Sequence, residues 1–432
     1  MLSSKYLILL LLSVPVAWWL GLDQFVFYFV FVLLFCCICN RGRICYRHDQ
    51  EVLLYVTFFV LSFFISSVAL YDVDNKRYFS YVRDGLNFLV FLVLLFFYHF
   101  SAGDFFRVVK AAVIFIFFCS FVSILSRYLG IVDTWVTFSY YLAPDIVSSS
   151  DFGRQFFIKT LVSDKDAYLF NSNVGPRSKS FFLFSNTFAV AIVVLIPFVF
   201  MWLNLVKSFA GKAFLLFGLF LCFLALVYTT SRAAPVALLG GLLGALLLCF
   251  ISVSRQRIIL FLLMPCLVLV LSLFFYDSLL LLYEKFAYSR GAGSVESRSY
   301  IYYQSLLMSF EHPLGFGAYR DSDIYGYPPF GSHSNYVSVI FKYGWLGFLS
   351  FSLLMFCCLR RLLNAYKLVF SKENRLVIFS LTWSFITLCL VQFTSEVSLD
   401  LITWFICSLI VVFSLSSKML VDGDLYGEKK FT

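Results

Sequence analysis

His333 stands in Gly331-Ser332-His333-Ser334-Asn335-Tyr336, between a stretch rich in Tyr, Pro and Gly and an apolar segment interrupted by Gly344-Trp345-Leu346-Gly347. A histidine at such a water-to-membrane boundary can titrate near neutral pH and take a proton from a hydroxyl within hydrogen-bond reach, or it can simply cap a helix end. Arg232, in Thr229-Thr230-Ser231-Arg232-Ala233, lies between two apolar runs. An arginine at that depth needs an anionic or hydrogen-bonded partner, unless it is a snorkelling anchor. Arg298, in Glu296-Ser297-Arg298-Ser299-Tyr300, could grip an anion bidentately or pair with Glu296. Arg177 and Lys179, in Val174-Gly175-Pro176-Arg177-Ser178-Lys179-Ser180, could bind a diphosphate or flank a helix. Arg320, beside Asp321 and Asp323, is a candidate substrate contact or a piece of loop structure. Tyr300 heads a group with Tyr302, Tyr303, Tyr319, Tyr325 and Tyr327 that offers ring faces for stacking, as does any aromatic belt at a membrane interface. Glu396 and Asp400 could orient His333 or counter an arginine; as turn residues they are expected to be solvated.

The elements that must position these groups are membrane helices. Of 432 residues, 61% are hydrophobic and only 13% charged, against about 25% charged in soluble globular chains. Alternating β patterning is absent, so helices are left as the way to satisfy a backbone in lipid. The predicted fold is all-α, a polytopic integral membrane protein of about twelve transmembrane helices forming one membrane domain over 1–432. The spans are predicted at 6–22, 24–39, 52–70, 85–100, 111–129, 181–206, 213–229, 234–252, 258–275, 335–358, 376–393 and 400–416, uncertain by about 2 to 4 residues at each end. The first resembles a signal peptide, but Trp18 and Trp19 replace small cleavage-site residues, so it is expected to be retained.

An even number of spans puts both termini on one side. The segments there hold about 18 of the 33 basic residues against about 7 of the 24 acidic ones, and the other side roughly 15 against 17, which makes the termini cytoplasmic. Two long loops, 130–180 and 276–334, then lie on the far, periplasmic side of a bacterial inner membrane. Loops of that length on one face are candidates for an active site or lid. In the second, Ile301, Leu306, Leu307 and Phe310 predict an amphipathic helix, followed by a turn at His312-Pro313-Leu314-Gly315-Phe316-Gly317. The net charge of +9 is explained mostly by topology, with no motif for nucleic acid. The twelve cysteines fall in spans or their cytoplasmic ends and indicate neither disulfides nor a metal site. No Walker A loop, His-Glu-x-x-His or Gly-x-Ser-x-Gly is present.

His333-Ser334, nine residues, then Gly344-x-x-Gly347 fits a His-[Asn/Ser/Gln]-x9-Gly-x-x-Gly pattern. Together with Thr229-Thr230-Ser231-Arg232-Ala233, and with Ser297-Arg298 followed by His312-Pro313-Leu314-Gly315-Phe316-Gly317, it resembles the O-antigen ligase and O-antigen polymerase superfamily of membrane glycosyltransferases. The resemblance covers roughly residues 170 to 350. Arg177 resembles the arginine that many members place before a Pro-Asn helix start, here Phe184-Ser185-Asn186 with Ser185 in place of proline. The resemblance implies a GT-C-like fold and a metal-independent, inverting transferase with no cofactor. Its donor would be a glycan on undecaprenyl pyrophosphate, and its acceptor a second lipid-linked repeat unit (polymerase) or lipid A-core (ligase). It implies His333 as base or acceptor-positioning group and Arg232 and Arg298 on the pyrophosphate. Arg177, Lys179, Tyr300 and Arg320 are the candidate substrate-binding residues. Membrane lipids and a chain-length regulator protein are further expected partners, and nucleic acid is not. Two large loops favour the polymerase. A protein-glycosylating member and a lipid-linked glycan flippase are the other readings; a flippase predicts repeats and ionisable groups at mid-bilayer, whereas here they gather at span ends and in loops.

Overall fold

A computed structural model describes residues 4–23, 28, 31–32, 50–72, 75–97, 101–129, 135–138, 158–163, 177–253, 293–324, 327–418 and 420. The helices are α1 (Ser4–Leu20), α2 (Gln50–Ser66), α3 (Asn75–Phe97), α4 (Ala102–Tyr128), α5 (Ser185–Leu205), α6 (Phe209–Thr229), α7 (Ala233–Val253), α8 (Gly293–Glu311), α9 (Asn335–Leu368), α10 (Lys372–Val391) and α11 (Leu401–Leu415). Short 3-10 segments occupy Ser67–Asp72 and Val397–Leu399. The strands are two-residue antiparallel pairs, β1 (Trp135–Val136) with β2 (Ile158–Lys159) and β3 (Val162–Ser163) with β4 (Arg177–Ser178).

Among the described residues seven helices, α2, α4, α5, α6, α7, α9 and α10, are long and apolar enough to cross a membrane, while α1 and α11 are shorter apolar helices. The expected total of twelve is therefore not reached on the described residues. Most of the span predicted at 24–39, the span predicted at 258–275, residues 276–292 of the second loop and most of the first loop lie outside them. The amphipathic helix expected in the second loop is α8.

Helix–helix contact in lipid gains little from hydrophobicity and depends on close packing and on polar groups that find partners. α5 is the innermost element, buried along nearly its whole length from Thr187 to Val199. Ser384 of α10 donates to Val194 O at 2.6 Å, and Trp383 Nε1 donates to Leu238 O at 2.9 Å, so α10 is pinned to both α5 and α7.

The break in α9 positions the site. At 34 residues an unbroken helix would run about 51 Å, well past a hydrocarbon core of about 30 Å. Gly344 interrupts it with φ 69° and ψ −172°. In a continuous helix Trp345 N–H would bond to Phe341 O, but it donates instead to Pro313 O at 3.0 Å. The freed carbonyls of Phe341 and Lys342 accept from Phe316 N at 2.9 Å and Gly317 N at 2.8 Å. The His312–Gly317 segment thus replaces the helical partners lost at the break, as buried backbone groups require. No other residue fits position 344: a Cβ there would lie 2.2 Å from Pro313 O. Gly347 has a different reason, since a Cβ would come within 2.8 Å of Ser62 Oγ on the packed α2. Gly344 and the Pro-Leu-Gly-Phe-Gly run are explained by this joint, and Gly347 by its packing on α2.

Candidate active site

His333 immediately precedes α9 and sits in the left-handed region at φ 67°, where a non-glycine residue must be held by its surroundings. On one side its carbonyl accepts the Tyr302 hydroxyl at 3.0 Å. On the other, the Glu396 carboxylate faces its backbone N–H. Ser334 caps α9 by accepting from Val337 N, and the next residues are sewn to the end of α10. Asn335 N donates to Gln392 O at 2.8 Å, and the Tyr336 hydroxyl to Cys389 O at 3.0 Å.

Arg298 lies one turn before Tyr302 on α8, so the two side chains share a helix face. Its charge reaches Tyr302, His333 and Arg232 alike, which makes it the common neighbour of the other two predicted catalytic residues. Burial first, and then the nearby Arg298 guanidinium, push the His333 imidazole down to about 4. The expectation that it titrates near neutrality is thereby overturned. The same two causes lower Arg232. Arg232 hangs from the α6–α7 turn, which is set by Thr230 at φ 55° and by Ser231 N donating to Thr229 Oγ1 at 3.3 Å. Two like charges held near each other, with a neutral imidazole beside them, form a site that gains from a polyanion.

The expected substrate-binding residues fall into two groups. Arg177 is buried, and its guanidinium donates to Thr229 O at 2.9 Å and Asn186 Oδ1 at 2.7 Å. Lys179, two residues on, is pushed down to about 8 by burial, with Asp400 opposing. Tyr300 and Arg320 have partners within the protein. The Tyr300 hydroxyl donates to both Asp323 oxygens at 2.9 Å, and Arg320 donates to Ala69 O at 3.0 Å and lies over the Phe316 ring. Arg77 pairs with Asp321 beside them.

Glu396 and Asp400 correct the sequence reading, because both are buried rather than solvated. Asp400 caps α11, accepting from Ile402 N and Thr403 N, and also from Thr187 Oγ1. Glu396 belongs to a cluster that sequence reasoning missed. Lys342, 1% exposed, donates to Asp84 at 2.7 Å, the Tyr319 hydroxyl at 3.0 Å and Glu396 at 3.4 Å. Ser338 and Ser398 also donate to Glu396, each at 3.3 Å. Burial and then the nearby Asp84 raise Glu396 to about 8; the ammonium is closer to Asp84 and serves it first. Lys342, a lone cation in an apolar run nine residues after His333, was the available signal. It departs from the expectation that ionisable groups gather only at span ends and in loops.

The bundle and its clustered arginines define a polytopic membrane protein whose candidate site is polar and cationic, at the end of the long broken helix. Residues 217–352 of the 432 match the family model described as O-antigen ligase, so this part of the chain is similar to that family. The matched segment contains Arg232, Arg298, His333 and both motif glycines, while Arg177 and Glu396 lie outside it. No curated protein matches the chain.

Proposed function

We propose that the chain is a polysaccharide polymerase. It transfers a glycan from undecaprenyl pyrophosphate to a sugar hydroxyl of another lipid-linked repeat unit, on the periplasmic face of the bacterial inner membrane. The acceptor oxygen bonds to the anomeric carbon as the carbon–oxygen bond to the diphosphate breaks, with inversion. The bonding pair leaves with undecaprenyl pyrophosphate, and the hydroxyl proton passes to His333. The observation that carries this reading is Arg298 beside both a second arginine and an imidazole kept neutral. Guanidinium groups are suited to the charge of a departing diphosphate, and an imidazole without a proton can receive one. A bound diphosphate would also offset the Arg298 charge and raise the basicity of His333 when the donor is in place.

A ligase acting on lipid A-core is the second reading, favoured by the description of the matched family. A deletion strain separates the two on a lipopolysaccharide gel. Core carrying a single repeat is the expected result, and core with no repeat overturns the polymerase reading.

The pH dependence follows from His333. The imidazole is neutral above about 4, and kcat/KM reports the free enzyme. Lys179 and Glu396, both near 8, are already protonated below neutrality. Donor kcat/KM measured in proteoliposomes is therefore expected to stay level from roughly pH 7 to 5.5 and to fall only toward about 4. An acid limb near the ordinary histidine value of about 6.5 would contradict the assignment.

A further inference from the structure

The α6–α7 turn that presents Arg232 holds a β-branched residue, Thr230, in the left-handed region, a conformation that lasts only where neighbours enforce it. The enforcing contact comes from far away in sequence. Thr229 O is among the carbonyls at the α6 C-terminus that lack a helical partner, and Arg177 Nε donates to it at 2.9 Å. The other arm of the same guanidinium donates to Asn186 Oδ1 at 2.7 Å, in the first turn of α5. The backbone of Arg177 is itself fixed by the β3–β4 pair, where it faces Ser163. One planar group therefore ties a strand, the start of α5 and the end of α6 together, and its positive charge suits a helix C-terminus.

We infer that Arg177 is a positioning residue that braces the turn carrying Arg232, rather than a ligand of the diphosphate. The inference rests on the proposed role of Arg232 for its kinetic readout, but not for its structural one.

The test compares Arg177→Ala, Arg232→Ala and the double variant, with donor and acceptor varied separately. Arg177→Ala should raise the donor KM about tenfold, the scale of a displaced binding group, and leave the acceptor KM within about twofold. A variant that merely lost folded protein would lower the rate and move neither KM. Because Arg177 acts through Arg232, the double variant should be no worse than Arg232→Ala alone. Additive losses would make Arg177 a second ligand and overturn the inference. Spin labels at positions 231 and 299 supply a readout independent of activity: their distance distribution should broaden in Arg177→Ala, and an unchanged distribution also overturns it. If Arg232→Ala leaves the donor KM unaltered, the proposed function fails while the label distances still decide the bracing. Should Arg177→Ala not accumulate, Asn186→Ala, which removes one anchor, must show the donor-only shift at smaller size; its absence counts against the brace.

Discussion

Arg298→Ala, expressed at the wild-type level, is expected to lower donor kcat/KM by about 100- to 1000-fold, the usual effect of deleting one preorganised group aimed at developing charge. The expectation rests on position. Among the described residues Arg298 is a side chain whose charge is felt by Arg232, Tyr302 and His333 together, so its removal takes away a proposed diphosphate ligand and changes the field at the proposed base. Arg298→Lys keeps the charge but loses the planar fork, and should recover only a small part of the rate. Polysaccharide length on gels and release of undecaprenyl pyrophosphate in vitro both report the outcome. A loss of less than about threefold in Arg298→Ala, well short of what this principle leads one to expect, would remove Arg298 from the mechanism and with it the centre of the proposed site.

Lys342→Met should be strongly destabilising, costing about 3–5 kcal/mol, because it leaves the Asp84 carboxylate buried without its nearest cation, at 2.7 Å, and with Arg83 only at 3.5 Å. The cost arises from the stranded Asp84 charge more than from lost attraction. Converting the carboxylates at the same time, in the triple variant Lys342→Met, Asp84→Asn and Glu396→Gln, should therefore restore most of it. Reversible unfolding in mixed micelles measures both. A single variant within about 1 kcal/mol of wild type, far below the usual cost of breaking a buried pair, would mean that the two carboxylates do not depend on Lys342. The Tyr319 hydroxyl accepts from Lys342 and the Tyr343 hydroxyl donates to Asp84, so the loss should spread to the loop that lies against the break in α9.

Hydrophobic runs made the helices legible. Ten of the predicted spans coincide with helices because lipid leaves a backbone little choice. α9 was underestimated, since its 34 residues pass through Arg360 and Arg361, where falling hydrophobicity predicted an end near 358. Arg232, Arg298 and His333 could be picked out because each lies in a short motif. The Lys342 cluster could not, because its members are 258 and 54 positions apart in the chain and meet only when α3, α9 and the α10–α11 turn pack. Glu396 and Asp400 were read as solvated because a turn between spans ordinarily meets water. Here the turn folds inward, one carboxylate capping α11 and the other receiving Lys342. Tyr300 and Arg320 carry chemistry suited to a substrate, and their bonds to Asp323 and to Ala69 of the Ser67–Asp72 segment are visible only in the contacts.

The joint at Gly344 also accounts for the number nine in the motif. One end of the intervening helix is fixed to the tail of α10 through Asn335 and Gln392, and the other to Pro313 through Trp345. Each residue of helix turns the chain by about 100° and advances it about 1.5 Å. Adding or removing one residue between Ser334 and Gly344 would therefore swing His333 away from Arg298 by more than a quarter turn while the anchors stayed where they are. The length of this segment is a gauge block: away from its anchors and from Lys342 the chain can change what it writes there, though not how many letters it uses.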